Sequence, residues 1–180
     1  ATGEDAYAAA ATASGGLLLA LQNTASTGSQ KEVRGFWRTS ETDVSPFCDA
    51  VHPAVPALAL QELAAAFPQH RDAGRWRDAV KMHIEEYVAP MAALSAYGIV
   101  PYGVYSGSPA ADVYRPLAGD LTYRFFMPVR KQHWWAGLTS HLECYATLLA
   151  GAGYRDLATR QLEWIMGANP FGACLMTGEG

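Results

Sequence analysis

The chain has 180 residues, of which 50% are hydrophobic and 17% charged, a balance typical of a globular protein with a packed core. The net charge is -4 with 13 Lys and Arg residues, which argues against a nucleic-acid partner and against an anionic membrane surface. No apolar run reaches the roughly 20 residues of a membrane helix, and the three cysteines lack CxxC spacing, so we expect no membrane span, disulfide framework, metal or cofactor.

Helical periodicity dominates the first half of the chain. An Ala- and Leu-rich segment predicts a helix over residues 5–22, which Gly15 and Gly16 weaken. A polar loop follows, then a short extended piece over residues 33–39 and, after a Pro-containing loop, a helix near residues 57–67.

A longer helix is predicted over residues 76–97. Asp72 is placed to cap it, and Pro90 should kink it. Its apolar residues recur at spacings of three and four and form one stripe: Trp76, Val80, Ile84, Tyr87, Val88, Met91 and Leu94.

The helical pattern stops over residues 98–132, a loop rich in Gly, Pro and aromatic residues that has room for one short strand pair. A loop of this length in a compact domain is usually functional. Its aromatic residues are Tyr102, Tyr105, Tyr114, Tyr123, Phe125 and Phe126.

Two further helices are predicted near the C-terminus, over residues 134–150 and 154–166. The Gly-rich break at 151–153 makes them an antiparallel hairpin, and Gly167 is a natural C-terminal cap. The helices near 57–67 and 76–97 form an earlier hairpin. The predicted fold is therefore all-α, built from antiparallel helical hairpins with a long aromatic-rich loop.

The C-terminal part carries the most specific motifs. Residues 164–172 are Trp-Ile-Met-Gly-Ala-Asn-Pro-Phe-Gly, and residues 176–180 are Met-Thr-Gly-Glu-Gly. This pattern resembles the glycoside hydrolases of family nine, the cellulase family, in which a helix ends in a Leu-Gly-x-Asn-Pro type turn before a Met-rich segment and Gly-x-Gly. The Trp-Trp-Ala-Gly start at residues 134–137 and the Pro-Tyr-Gly-Val-Tyr segment at 101–105 are also similar to that family.

The resemblance implies that residues 1–180 are part of a single (α/α)6 toroid catalytic domain, truncated at both ends. It implies a parent protein that hydrolyses β-glucan-type bonds by inversion, possesses no cofactor, and is secreted or periplasmic. In that family a catalytic Asp pair lies in an Asp-Ala-Gly-Asp motif far upstream, and a His and an acid Glu follow the Gly-x-Gly. Here residues 72–75 are Asp-Ala-Gly-Arg, which we interpret as a helix start, so no residue is assigned a catalytic role and this chain alone is expected to be inactive.

The expected partner is an oligo- or polysaccharide, because sugars present apolar faces that aromatic side chains cover while a few polar groups bind the hydroxyls. The resemblance places one of Trp134 and Trp135 toward the cleft, although the Arg that the family often has one turn later is replaced here by Leu138 or Thr139. Asn169 and Pro170 are expected to fix a turn near the cleft. The substrate-binding candidates are Trp134, Trp135, Tyr102, Tyr105 and His133.

Two other functions fit the residues. The chain could be a helical-hairpin binding or scaffold module, since paired helices commonly serve that purpose. It could also belong to a different toroid enzyme that acts on uronic-acid glycans, because Arg124, Arg130 and Lys131 lie near the loop and Arg side chains bind carboxylates.

Overall fold

A computed structural model describes residues 5–25, 34–43, 46–47, 53–101, 103–106, 115–118, 121–124 and 134–176; in the three strands and at 134–138 it describes the backbone. The chain is mainly helical, as predicted. The helices in these residues are α1 (Asp5–Leu21), α2 (Val55–Ala66), α3 (Ala73–His83), α4 (Ala89–Ala92), α5 (Trp134–Gly151) and α6 (Arg155–Ile165), with a π-helical turn at Ile84–Val88.

Helices α2 and α3 form the first hairpin, as the periodicity predicts. Pro56 lies in the first turn of α2, where its missing N–H leaves no intrahelical bond unmade. The buried faces of the two helices, which include Leu60 and Trp76, pack together in the main core with α1 and α5.

The helix predicted over 76–97 is helical without a break as far as Ala92, but it is not α-helical throughout and ends five residues earlier than predicted. The α-helical pattern of α3 stops at His83, widens into the π-helical turn, and resumes for one turn that ends at Ala92. Pro90 lies just after the wide turn. Because proline cannot donate to the carbonyl four residues earlier and its ring crowds that carbonyl, the helix cannot keep regular α-geometry there.

Asp72 precedes α3, in agreement with a helix start, but the prediction that its side chain caps the helix is wrong. The carboxylate instead accepts a hydrogen bond from Arg75 at 2.8 Å, and this bond lowers the pKa of Asp72. The backbone carbonyl of Asp72 still accepts the first helical bond, from the N–H of Trp76 at 2.9 Å.

Helices α5 and α6 form the second hairpin, as predicted. Gly153 adopts a φ of 91° in the connecting turn. Gly167, at φ 125°, ends α6 in a Schellman motif: the N–H of Ala168 bonds to the carbonyl of Glu163 at 2.9 Å, and that of Gly167 to the carbonyl of Trp164 at 3.4 Å.

The aromatic-rich loop contains three short strands, where the sequence predicted a loop with room for one strand pair. They are β1 (Gly103–Ser106), β2 (Arg115–Ala118) and β3 (Leu121–Arg124), paired antiparallel in the order β1-β3-β2. The register shifts between Pro116 and Ala118. Proline fits there because β2 is an edge strand and pairs with β3 on one side only. A missing N–H on its other side leaves no hydrogen bond between strands unmade.

Residues 34–38, which follow α1, pack on the main core through Phe36 and Trp37. Trp37 forms an isolated bridge with Gln22, and its indole N–H donates to the carbonyl of Leu18 at 2.9 Å. Gly15 lies against the buried Trp76; a Cβ at this position would lie 3.0 Å from the indole nitrogen and 2.8 Å from a methyl of Leu63. The sequence showed only the helix-weakening effect of this glycine, whereas the fold uses it for close packing.

Candidate functional site

The predicted site residues fall on three elements. Trp134 and Trp135 open α5, and Tyr105 lies in β1. Tyr102 and His133 lie outside the described residues. Asn169 and Pro170 lie in the turn that follows α6, with Asn169 buried and Pro170 exposed.

Two of these elements, the start of α5 and the turn after α6, share one end of the α5–α6 hairpin. Because the two helices are antiparallel, the first turn of α5 and the last turn of α6 share that end. A small apolar cluster joins α5 and α6 to the segment before β1 and consists of Ile99, Leu142, Trp164 and Ile165, with Leu175 packed against it. The N–H of Leu175 donates to the carbonyl of Ile165 at 2.9 Å, which returns the chain after the turn to the end of α6. We call the region made of the first turn of α5, the small apolar cluster and the turn around Asn169 the aromatic end.

The base of the aromatic-rich loop is held by two buried polar side chains. Gln161 Oε1 accepts from the backbone N–H of Val100 at 2.8 Å, and its Nε2 donates to the carbonyls of Gly98 at 3.2 Å and Leu157 at 2.8 Å. His141 Nε2 lies 3.0 Å from the carbonyl of Val100. Since a carbonyl can only accept, the proton of His141 sits on Nε2.

The turn after α6 is organised by Asn169. Its Nδ2 donates to the carbonyls of Trp164 and Ala173, both at 2.8 Å, and its Oδ1 accepts from the N–H of Phe171 at 3.0 Å and of Ala173 at 3.4 Å. All four partners are backbone groups, so the side chain fixes the path of the turn. Phe171 is 62% exposed at the tip of the same turn.

A second buried histidine lies deeper in the core. His83 Nδ1 donates to the carbonyl of Gly35 at 2.9 Å, and the hydroxyl of Tyr145 lies 3.4 Å from Nε2. The ring of Tyr145 is also in edge contact with His141, at 5.1 Å between ring centroids. Tyr145 thus links the two histidines between the core and the base of the loop.

Both histidines are neutral in the fold at pH 7. Burial lowers the pKa of His83 to about 4, against the opposing effect of its bond to Gly35. Burial likewise lowers the pKa of His141 to about 4, against the opposing effect of the Val100 carbonyl. The bond to Val100 satisfies His141 as a buried polar group. The sequence analysis did not identify His83, although its spacing of seven from Trp76 on the apolar stripe was a signal of burial.

A groove among the described residues lies away from the aromatic end. It has a volume of about 440 Å³ and is lined by α2, α3 and the turn between α5 and α6, with Gln61, Arg77, Lys81 and Tyr154 among its residues. Since α5 has 18 residues, the Gly151 end that lines the groove lies about 25 Å along the helix from Trp134.

Tyr154 lines that groove. Its hydroxyl donates a hydrogen bond to the carboxylate of Glu85 at 2.7 Å. Partial burial and this carboxylate raise the pKa of Tyr154. The described residues that line this groove belong to α2, α3 and the turn between α5 and α6, none of which carries a substrate-binding candidate.

The described residues hold no group of three or more His, Cys, Asp or Glu side chains placed to bind a metal ion. Among the helices that the structure describes, none is both long and apolar enough to cross a membrane. No protein-family model matches the chain, and no curated protein matches it.

Proposed function

We propose that the chain is part of a glycoside hydrolase resembling family nine, and that its aromatic end forms one wall of a β-glucan cleft. The motifs over residues 132–180 support this proposal. So does the arrangement of antiparallel hairpins, the unit from which an (α/α)6 toroid is built. In this proposal residues 1–180 belong to one toroid domain of a secreted or periplasmic enzyme.

The observation that carries the proposal is that the start of the aromatic-rich loop and the Asn-Pro turn are both held on helix α6, the hairpin partner of the Trp-bearing α5. Gln161 of α6 accepts from the N–H of Val100 just before the loop, and Asn169 donates to the carbonyl of Trp164. The small apolar cluster adds Ile99 to the side chains of α5 and α6. Aromatic side chains with a few polar groups are what a sugar site requires.

The parent enzyme would supply the chemistry from outside these motifs. Inversion uses two carboxyl groups roughly 6.5 to 9.5 Å apart, one as acid and one to activate water. Asp72, in the nearest match to the family's aspartate motif, is bound to Arg75 at a helix start. The chain by itself therefore binds glucan without cleaving it.

Calorimetric titration of the chain with cellohexaose tests this proposal. We expect saturable binding whose affinity falls about tenfold or more in Trp134→Ala or Trp135→Ala. One aromatic side chain stacked on a flat ligand face contributes on the order of 1–3 kcal/mol to the binding free energy. Tyr7→Ala removes an exposed ring from α1 and is the matched control, with unchanged binding expected.

Three results would count against the proposal. Absence of binding to cellohexaose, or equal binding by both Trp variants and the wild type, removes the sugar site. Preferential binding of an oligogalacturonate of the same length favours the uronic-acid alternative. Release of shorter sugars by the highly purified chain contradicts the assignment of the catalytic pair to other parts of the parent.

A further inference from the structure

Val100 stands at a structurally demanding position, immediately before the aromatic-rich loop. Its side chain is buried, Pro101 follows it, and β1 begins at Gly103. Val100 belongs to neither a helix nor a strand, so regular secondary structure supplies no partner for its N–H and carbonyl. Buried backbone groups nevertheless need partners, because leaving them without one is costly.

Two side chains from different helices supply those partners. Gln161 of α6 accepts a hydrogen bond from the N–H of Val100, and His141 of α5 donates one to the carbonyl of Val100. Both side chains are completely buried. Together they take the place of backbone partners, since they offer one acceptor and one donor to the N–H and the carbonyl of the same residue.

The carbonyl of Gly98 adds a third bond to the same arrangement. Gly98 adopts φ 65°, the left-handed region that glycine favours, and its carbonyl accepts from Gln161 Nε2. The segment 98–100 therefore has a single path across the α5–α6 hairpin, and the loop leaves the hairpin at a fixed point.

We propose that His141 and Gln161 are positioning residues that fix the aromatic-rich loop, with its three strands, on the α5–α6 hairpin. The role of this loop in sugar binding rests on the proposed function, whereas the anchoring of the loop does not. His141 must be neutral and protonated at Nε2 to take part without a buried charge.

The test compares conservative and disruptive variants of the full chain. His141→Gln keeps a donor nitrogen the same number of bonds from Cβ as Nε2, whereas His141→Leu removes it. Gln161→Met keeps the length of the side chain and removes its hydrogen bonds. Gln22→Met is the matched control, because Gln22 is also buried and its amide donates to the backbone carbonyls of Gly35 and Ala79 instead.

The first readout is hydrogen exchange of the backbone amides in β1 and β3. We expect exchange to accelerate roughly tenfold in His141→Leu and Gln161→Met, since losing one buried hydrogen bond shifts local opening by about that factor. His141→Gln should restore most of the protection. Gln22→Met should leave β1 and β3 unchanged relative to α5 and α6, even if the whole chain becomes less stable.

The second readout is titration with cellohexaose. Weakened binding in His141→Leu and Gln161→Met, recovered in His141→Gln, links the anchor to the proposed site. If no variant binds and the wild type does not bind either, the proposed function fails while the exchange data still decide the anchor. Equal exchange of β1 and β3 in Gln161→Met, His141→Leu and Gln22→Met would overturn the proposal.

Discussion

At the residue scale, the buried polar side chains of this chain serve its irregular backbone. Gln22, His83, His141, Gln161 and Asn169 are all buried, and each bonds to backbone groups outside regular helix or strand pairing. Such groups stabilise the fold only while they stay correctly bonded and, for histidine, neutral.

The two histidines predict a dependence of stability on pH. Their folded pKa of about 4 lies below the ordinary value of 6.5, so the unfolded chain binds more protons between these limits. Stability is full above pH 6.5 and is lost as the pH falls toward 4. From pH 7 to 5 we expect the free energy of unfolding to fall by about 2 kcal/mol for each histidine.

Urea unfolding at pH 7 and pH 5 measures this fall. His83→Gln should remove about half of the pH dependence, whatever it does to stability at pH 7. Equal stability of the wild type at both pH values would show that these side chains are not buried as neutral groups.

At the element scale, the sequence predicted the regular parts well and the irregular parts less well. The bounds of α1, α2, α5 and α6 follow the apolar periodicity and the glycines to within about two residues. The π-helical turn before Pro90 was not predictable. Periodicity shows only where apolar residues recur; it does not show how a helix rearranges around the N–H that proline lacks. The sheet was foreseen only as one strand pair, since four-residue strands carry too short a pattern.

The Asp72 cap failed for a similar reason. Local sequence identified a residue type suited to the N-cap, but Arg75 one turn later competes for the same carboxylate. Likewise, the anchors at Val100 depend on residues 41 and 61 positions away, a pairing that only the tertiary structure specifies.

Helix α1 offers a matched test of packing against helix propensity. Gly16→Ala places a methyl in open space and should stabilise the chain by up to about 1 kcal/mol. Gly15→Ala gains the same propensity but presses on Trp76 and Leu63, so we expect it to be less stable than Gly16→Ala by about 1–3 kcal/mol.

Thermal unfolding of the two variants side by side checks this expectation. The same melting temperature for both would mean that α1 does not pack as closely on Trp76 as the structure shows.

At the scale of the whole molecule, two helical hairpins and α1 enclose a core with different features at its two ends. One end holds the small apolar cluster, which includes Ile99 just before the aromatic-rich loop, and the Asn169 turn. The other carries the groove bordered by Arg77, Lys81 and Tyr154. The proposed function assigns sugar binding to the aromatic end and not to the groove. The location of bound sugar therefore separates a specific site from nonspecific binding in any concave surface.

The most direct measurement is a chemical-shift titration of the isotopically labelled chain with cellohexaose. If sugar binds at the aromatic end, the amides that shift cluster at residues 98–106, 134–141 and 164–176. Shifts confined to the groove end, at residues 61–65, 77–81 and 151–154, or no shifts at saturating sugar, would show that the aromatic end is not a sugar site.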